Sequence, residues 1–98
     1  MKLYDPKIFV AETKLIVVSI QYRLSILGFL YLNSENAPGN QALYDQTLAF
    51  KWIYDNINHF GGDNSKITIV GDSGGAASVG FHLLSPLSSY YFRQAILL

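Results

Sequence analysis

Apolar residues follow two different rhythms along the chain. From Lys14 to Arg23 the run KLIVVSIQYR is rich in β-branched and apolar residues, which predicts a strand buried on both faces in a parallel sheet. Residues 24 to 40 read as a connection ending in the turn-forming Ala37-Pro38-Gly39-Asn40. The rhythm then changes. Leu43, Phe50, Tyr54 and Ile57 recur at offsets of seven, four and three, the spacing of one helical face. Leu48, Ala49, Trp52 and Ile53 are expected to widen that stripe, while Asp45, Lys51 and Asp55 mark polar positions. Gly61-Gly62 closes the helix, because glycine accepts the left-handed conformation that ends one.

A second strand is predicted at Lys66–Val70, KITIV, and Gly71 to Gly75 separates it from a helix running through AASVGFHLL to Ser85-Pro86. A third apolar run begins at Gln94 and continues to Leu98. Strand, helix, strand, helix and strand is the pattern of crossover units on a parallel sheet, so the fold class is α/β. Charged residues make up only 14% of the 98, against about a quarter in an ordinary soluble domain. Aromatic residues also reach 14%, a balance that suits the interior of something larger. Residues 1–98 are therefore expected to be one segment of a single larger domain.

Seven Lys and Arg offset seven Asp and Glu, and the basic residues are scattered. No electrostatic footprint for nucleic acid or an anionic membrane is present in the sequence. Without cysteine there is no thiolate metal site, redox pair or disulfide framework. The apolar runs are far shorter than a membrane span, and Met1 to Phe9, with Asp5 and Pro6, lacks the apolar stretch of a signal peptide.

The chemistry concentrates at Gly71-Asp72-Ser73-Gly74-Gly75, a G-x-S-x-G between a predicted strand and a predicted helix. A serine on so tight a turn is strained and projects its hydroxyl above the sheet edge. Gly71 and Gly75 are expected because a Cβ at either would collide with the neighbouring strand or helix. The Gly74 backbone N–H, at the helix N-terminus, is placed to stabilise an oxyanion. The five letters alone fit a glycine-rich turn capped by Ser or Asp equally well; the strand and helix on either side favour a nucleophile. GDSGG also resembles the serine motif of chymotrypsin-like proteases, but there the chain continues into strand, whereas Ala76-Ala77-Ser78-Val79 opens a helix.

The likeness extends over nearly the whole chain. SIQYRLSILGFL at 19–30, Ala37-Pro38-Gly39-Asn40, Leu43 to Gln46 with Ala49 and Trp52, Asn56-Ile57, Phe60-Gly61-Gly62-Asp63, GDSGGAASVGFHLLSPLS and Arg93-Gln94-Ala95-Ile96 resemble the type-B carboxylesterase and cholinesterase family. Tyr4 to Lys7, Gln21-Tyr22-Arg23 and Gly28 to Leu32 are most similar to cholinesterases, arthropod ones in particular. The resemblance implies a partial α/β-hydrolase fold and a serine esterase that forms an acyl-enzyme on Ser73. It implies a small carboxylic ester as substrate, in one version a choline ester, no metal or organic cofactor, and a secreted or membrane-anchored parent. It also implies that Arg23 and Asp45 form a buried ion pair, and that Tyr4 and Asp72 flank the choline pocket. The family's elbow is usually G-E-S-A-G; here Asp72 and Gly74 replace its Glu and Ala, which leaves esterase chemistry intact and puts the choline preference in question.

A serine nucleophile needs a base. His82 lies nine residues past Ser73 on the same helix, over 10 Å away at about 1.5 Å per residue, and His59 lies beyond the far end of the second strand. Both are expected to be packing or capping residues. Geometry alone leaves Glu35 or Asp45 open as the acid, but the chain order of this fold, serine then acid then histidine, puts both partners downstream of Leu98. The segment alone is thus expected to be inactive. Three readings remain: a cholinesterase-like or general carboxylesterase, a silent adhesion relative of the neuroligin kind, and an inactive truncated product. Ser73 favours the enzyme.

Overall fold

A computed structural model describes residues 6–98. It contains α1 (Lys7–Thr13), α2 (Ser25–Phe29), β1 (Tyr31–Ser34), β2 (Ala37–Pro38), α3 (Gln41–Asn56), β3 (Thr68–Gly71), α4 (Gly74–Leu84) and β4 (Gln94–Leu97). Short 3₁₀ turns occupy Ile57–Phe60 and Ser89–Tyr91.

The crossover unit anticipated from the sequence is β3-α4-β4. The two strands pair in parallel, Thr68 opposite Gln94 through Gly71 opposite Leu97. The ladder is prolonged by Arg93 N–H to Ile67 O at 2.8 Å and Leu98 N–H to Gly71 O at 2.9 Å. The helix between them lays Val79 on the sheet, where it meets Ile69 and Phe92, with Phe50, Ile67 and Ala95 packed around this core. Parallel strands cannot be joined by a tight turn, so a helix of this kind is the economical way to return the chain to the same edge.

α3 packs beside this unit through the face carrying Gln46, Phe50, Ile53 and Ile57, all buried or half-buried. Leu48 and Trp52, expected to widen the apolar stripe, are exposed instead, because their positions fall on the opposite side of the helix. The helix passes into the 3₁₀ turn and ends at Gly61, whose φ of 82° is the left-handed conformation the glycine pair foretold; Gly62 N–H then returns to Ile57 O at 3.0 Å.

Two expectations need correction. Lys14 to Arg23 is not a strand: among the described residues no ladder includes it, and Leu15, at 54% exposed, and Val17, at 42%, are far from buried. A strand exists only where a neighbour accepts its backbone hydrogen bonds, and β3 takes β4 as its neighbour. The connection at 24–40 is also more ordered than expected. It folds into α2 and an irregular antiparallel hairpin, Tyr31 opposite Pro38 and Ser34 opposite Ala37. No helix among the described residues is long and apolar enough to cross a membrane.

Candidate active site

β3 delivers the chain into the turn at 71–75 and α4 carries it away, so the turn is fixed at both ends. Ser73 stands between them with φ 54° and ψ −113°, a conformation L-residues rarely adopt and one that costs on the order of 1–3 kcal/mol. Three backbone bonds hold it there: Ser73 N–H to Leu98 O at 3.2 Å, Gly75 N–H to Asp72 O at 2.9 Å, and Ala77 N–H to Ser73 O at 3.1 Å. The side chain is exposed. Strain maintained by surrounding structure, on an accessible serine, is the arrangement that presents a hydroxyl for attack.

Gly71 and Gly75 turn out to differ. A Cβ on Gly71 would land on the Gly75 carbonyl and 2.7 Å from Ala76 N, backbone that cannot step aside, so this glycine is required. A Cβ on Gly75 would meet nothing within 4 Å, contrary to the expected collision. Gly74 is equally open. Its N–H has no acceptor among the described residues and belongs to the first turn of α4, where the donors have no partner within the helix. The serine hydroxyl and this donor are therefore on adjacent residues of one turn.

Asp72 is exposed next to Ser73, and its carbonyl serves the turn. Tyr4 lies outside the described residues. Arg23 and Asp45 do come together: Arg23 Nε donates to Asp45 Oδ2 and NH2 to Oδ1, both at 2.8 Å, with Arg23 N–H on Oδ2 at 3.0 Å. The pair joins the end of the 14–23 segment to α3. It is not buried, however; the arginine side chain is 54% exposed and the aspartate 24%, since no layer of chain covers this side of α3. The guanidinium's hydrogen bonds hold the Asp45 carboxyl below the usual carboxylate range and push the Arg23 guanidinium above its ordinary value.

Neither histidine is hydrogen-bonded to Ser73. His59 is exposed on the 3₁₀ turn that precedes β3. His82 is 3% exposed and held by Gln46 and Ser88, and burial pushes its pKa below 6.5. His82 is thus the packing residue the sequence led one to expect; its hydrogen-bonded partners were not foreseen, although Gln46 at an inward position of an apolar helical stripe was the signal for them. A cleft of about 640 Å³ lies between the 15–20 segment and β3, with Ile16, Val18, Ile53, Ile67 and Ile69 on its walls. Ser73 does not line it; it is the space left where the 14–23 run fails to pair. Among the described residues no group of His, Asp and Glu could hold a metal ion.

Comparison with known proteins places this turn in context. Residues 1–98 match the model of the carboxylesterase family. The chain is 52% identical over 97 residues to acetylcholinesterase 1 of Caenorhabditis elegans and 52% identical over 98 to acetylcholinesterase of Electrophorus electricus. It is 45% identical over 103 residues to acetylcholinesterase of the beetle Leptinotarsa decemlineata, which does not stand out among the three. In each case 99% of this chain is covered but only 16% of the relative's length. With the family model matched from end to end and the strained serine turn at its centre, the chain belongs to the carboxylesterase family.

Proposed function

We propose that the full-length protein is a carboxylic ester hydrolase of the cholinesterase kind, that these 98 residues are part of a single α/β-hydrolase domain, and that Ser73 is its nucleophile. The observation that carries this reading is the Ser73 backbone, at φ 54° and ψ −113° between β3 and α4, beside a Gly74 N–H that has no acceptor among the described residues. Ser73 Oγ attacks the ester carbonyl while a histidine from outside these residues takes its proton. The carbonyl oxygen, now an anion, accepts from Gly74 N–H. Collapse expels the alcohol, protonated by the same histidine, and leaves an acyl-enzyme; water attacks it by the reverse proton route and releases the acid. No step uses a metal or organic cofactor. The family resemblance further suggests a secreted or membrane-anchored protein.

For the substrate, the names of the relatives favour a choline ester, and the Asp72 carboxylate next to Ser73 would lower the energy of a nearby cation. Comparing a choline ester with its neutral isostere, in the full-length protein and in Asp72→Asn, tests this. A loss confined to the choline ester supports the choline preference. Equal losses on both substrates favour a general carboxylesterase, and hydrolysis that survives Ser73→Ala rejects the nucleophile.

A further inference from the structure

Behind the serine turn, the contact between α3, α4 and the segment that follows holds a cluster of polar groups away from water. Gln46 and His82 are each 3% exposed and Ser88 is fully buried. Polar groups in such a place are costly unless their hydrogen bonds are complete, and here each finds a partner. The Gln46 carbonyl oxygen lies 2.7 Å from His82 Nε2, and its amide nitrogen donates to Ser78 Oγ at 3.3 Å. That assignment makes Nε2 the protonated nitrogen of the ring, so Nδ1 accepts from Ser88 Oγ at 2.9 Å. Phe50 sets its ring edgewise to the imidazole at 4.7 Å, which fixes the plane of the histidine.

The run of bonds has a direction and an end. Ser88 donates to His82, His82 to Gln46, Gln46 to Ser78, and Ser78 Oγ to the carbonyl oxygen of Gly74 at 3.3 Å. Gly74 is the residue whose N–H is the oxyanion donor in the reading above. An added Cβ there meets nothing within 4 Å, so no packing against the residue itself fixes it laterally. From the other side, the turn is tied to the sheet through Ser73 N–H to Leu98 O and Leu98 N–H to Gly71 O.

We infer that Gln46 and His82 are positioning residues for the oxyanion donor: they fix the first turn of α4 against α3 and thereby aim the Gly74 N–H. The inference rests on Ser73 being the nucleophile. Neither residue touches the substrate; each acts through Ser78 and Gly74. The bonds at His82 are buried, where connected hydrogen bonds reinforce one another, and the run reaches the surface through Ser78 and Gly74, so loss of a buried member loosens the end that carries the donor.

The test uses the full-length protein with Gln46→Leu, Ser78→Ala, His82→Phe and the conservative His82→Gln, whose amide can still donate towards Gln46. Hydrolysis is measured well below each variant's melting temperature, beside the melting temperature itself and the rate of phosphorylation by an organophosphate. Positioning predicts that kcat and the phosphorylation rate fall together by about tenfold in Gln46→Leu and His82→Phe, with KM within about twofold. Ser78→Ala should show a smaller loss of the same kind, and His82→Gln should recover most of the activity. Lower melting temperatures with kcat unchanged in the folded variants would overturn the inference and leave the cluster a purely structural one. If the parent hydrolyses esters equally well as Ser73→Ala, the nucleophile reading fails and this inference fails with it; normal Ser73-dependent turnover in all four variants refutes the inference alone.

Discussion

Residues 14–23 and 66–71 are written in nearly the same alphabet, KLIVVSIQYR against KITIVG, and they meet different fates. The second forms β3, buries Ile69 and launches the serine turn. The first forms no strand and leaves aliphatic side chains in water. Side-chain preference cannot account for the contrast, since both runs favour strand. The difference is pairing: β3 has β4 brought alongside by α4, a crossover contained in these residues, whereas no strand among the described residues pairs with the backbone of 15–22. Strand propensity describes fitness for a pleated, half-buried surface, and the surface must be supplied by other chain.

The largest effect expected from this contrast concerns the 98-residue chain by itself. With one apolar run unpaired and β3 open along one edge, it should associate or show poor chemical-shift dispersion, and it should hydrolyse p-nitrophenyl acetate no faster than its Ser73→Ala variant. A cooperative, monomeric melt with Ser73-dependent turnover would break the account. Hydrogen exchange sharpens it: in the full-length protein the amides of 15–22 should exchange at least about a hundredfold more slowly than in the isolated chain, if a pairing partner lies elsewhere in the protein. Equal exchange in both would mean that this run never becomes a strand.

Next in size is the contrast between the two glycines that frame the serine. Gly71→Ala puts a methyl into the Gly75 backbone and should cost about 3 kcal/mol while removing most Ser73-dependent activity. Gly75→Ala enters open space inside a helix and should change stability by no more than about 1 kcal/mol, in the stabilising direction. Equal effects in urea denaturation of the two full-length variants would show that the turn is not shaped as described.

The site was legible in the sequence where its causes are local. The tight turn between strand and helix and the glycine that ends the long helix at Gly61 were read correctly from the residues around them, while the collision expected at Gly75 was not found. What depends on distant chain was misjudged. The 14–23 run was given a partner it does not have, Leu48 and Trp52 were turned inward when the helix turns them out, and the Arg23–Asp45 pair was taken as buried when only its geometry is as expected. His82 was read correctly as a packing residue, but its partner Gln46 was missed, because a lone glutamine on an apolar stripe is intelligible only once the helix opposite it is known.

The smallest effect belongs to that ion pair. Because Asp45 is held below its ordinary pKa, its contribution is fully present above about pH 4 and is lost as the pH falls through the lowered value. The exposure of Arg23 means that salt and water screen most of it. Arg23→Ala should therefore lower the urea midpoint only slightly at neutral pH, less in high salt, and progressively less as the pH falls through the lowered Asp45 value. A large loss would show that other parts of the full-length protein cover the pair.

All of these depend on Ser73 being the group that reacts. Treating the full-length protein with an organophosphate and locating the adduct by mass spectrometry tests that directly, because only a serine with a general base and an oxyanion donor reacts quickly with such a reagent. The account predicts a single phosphoryl group on the peptide containing Gly71-Asp72-Ser73-Gly74-Gly75, on Ser73, with activity lost in proportion to labelling. An adduct on another serine, or an active enzyme that acquires none, would contradict it.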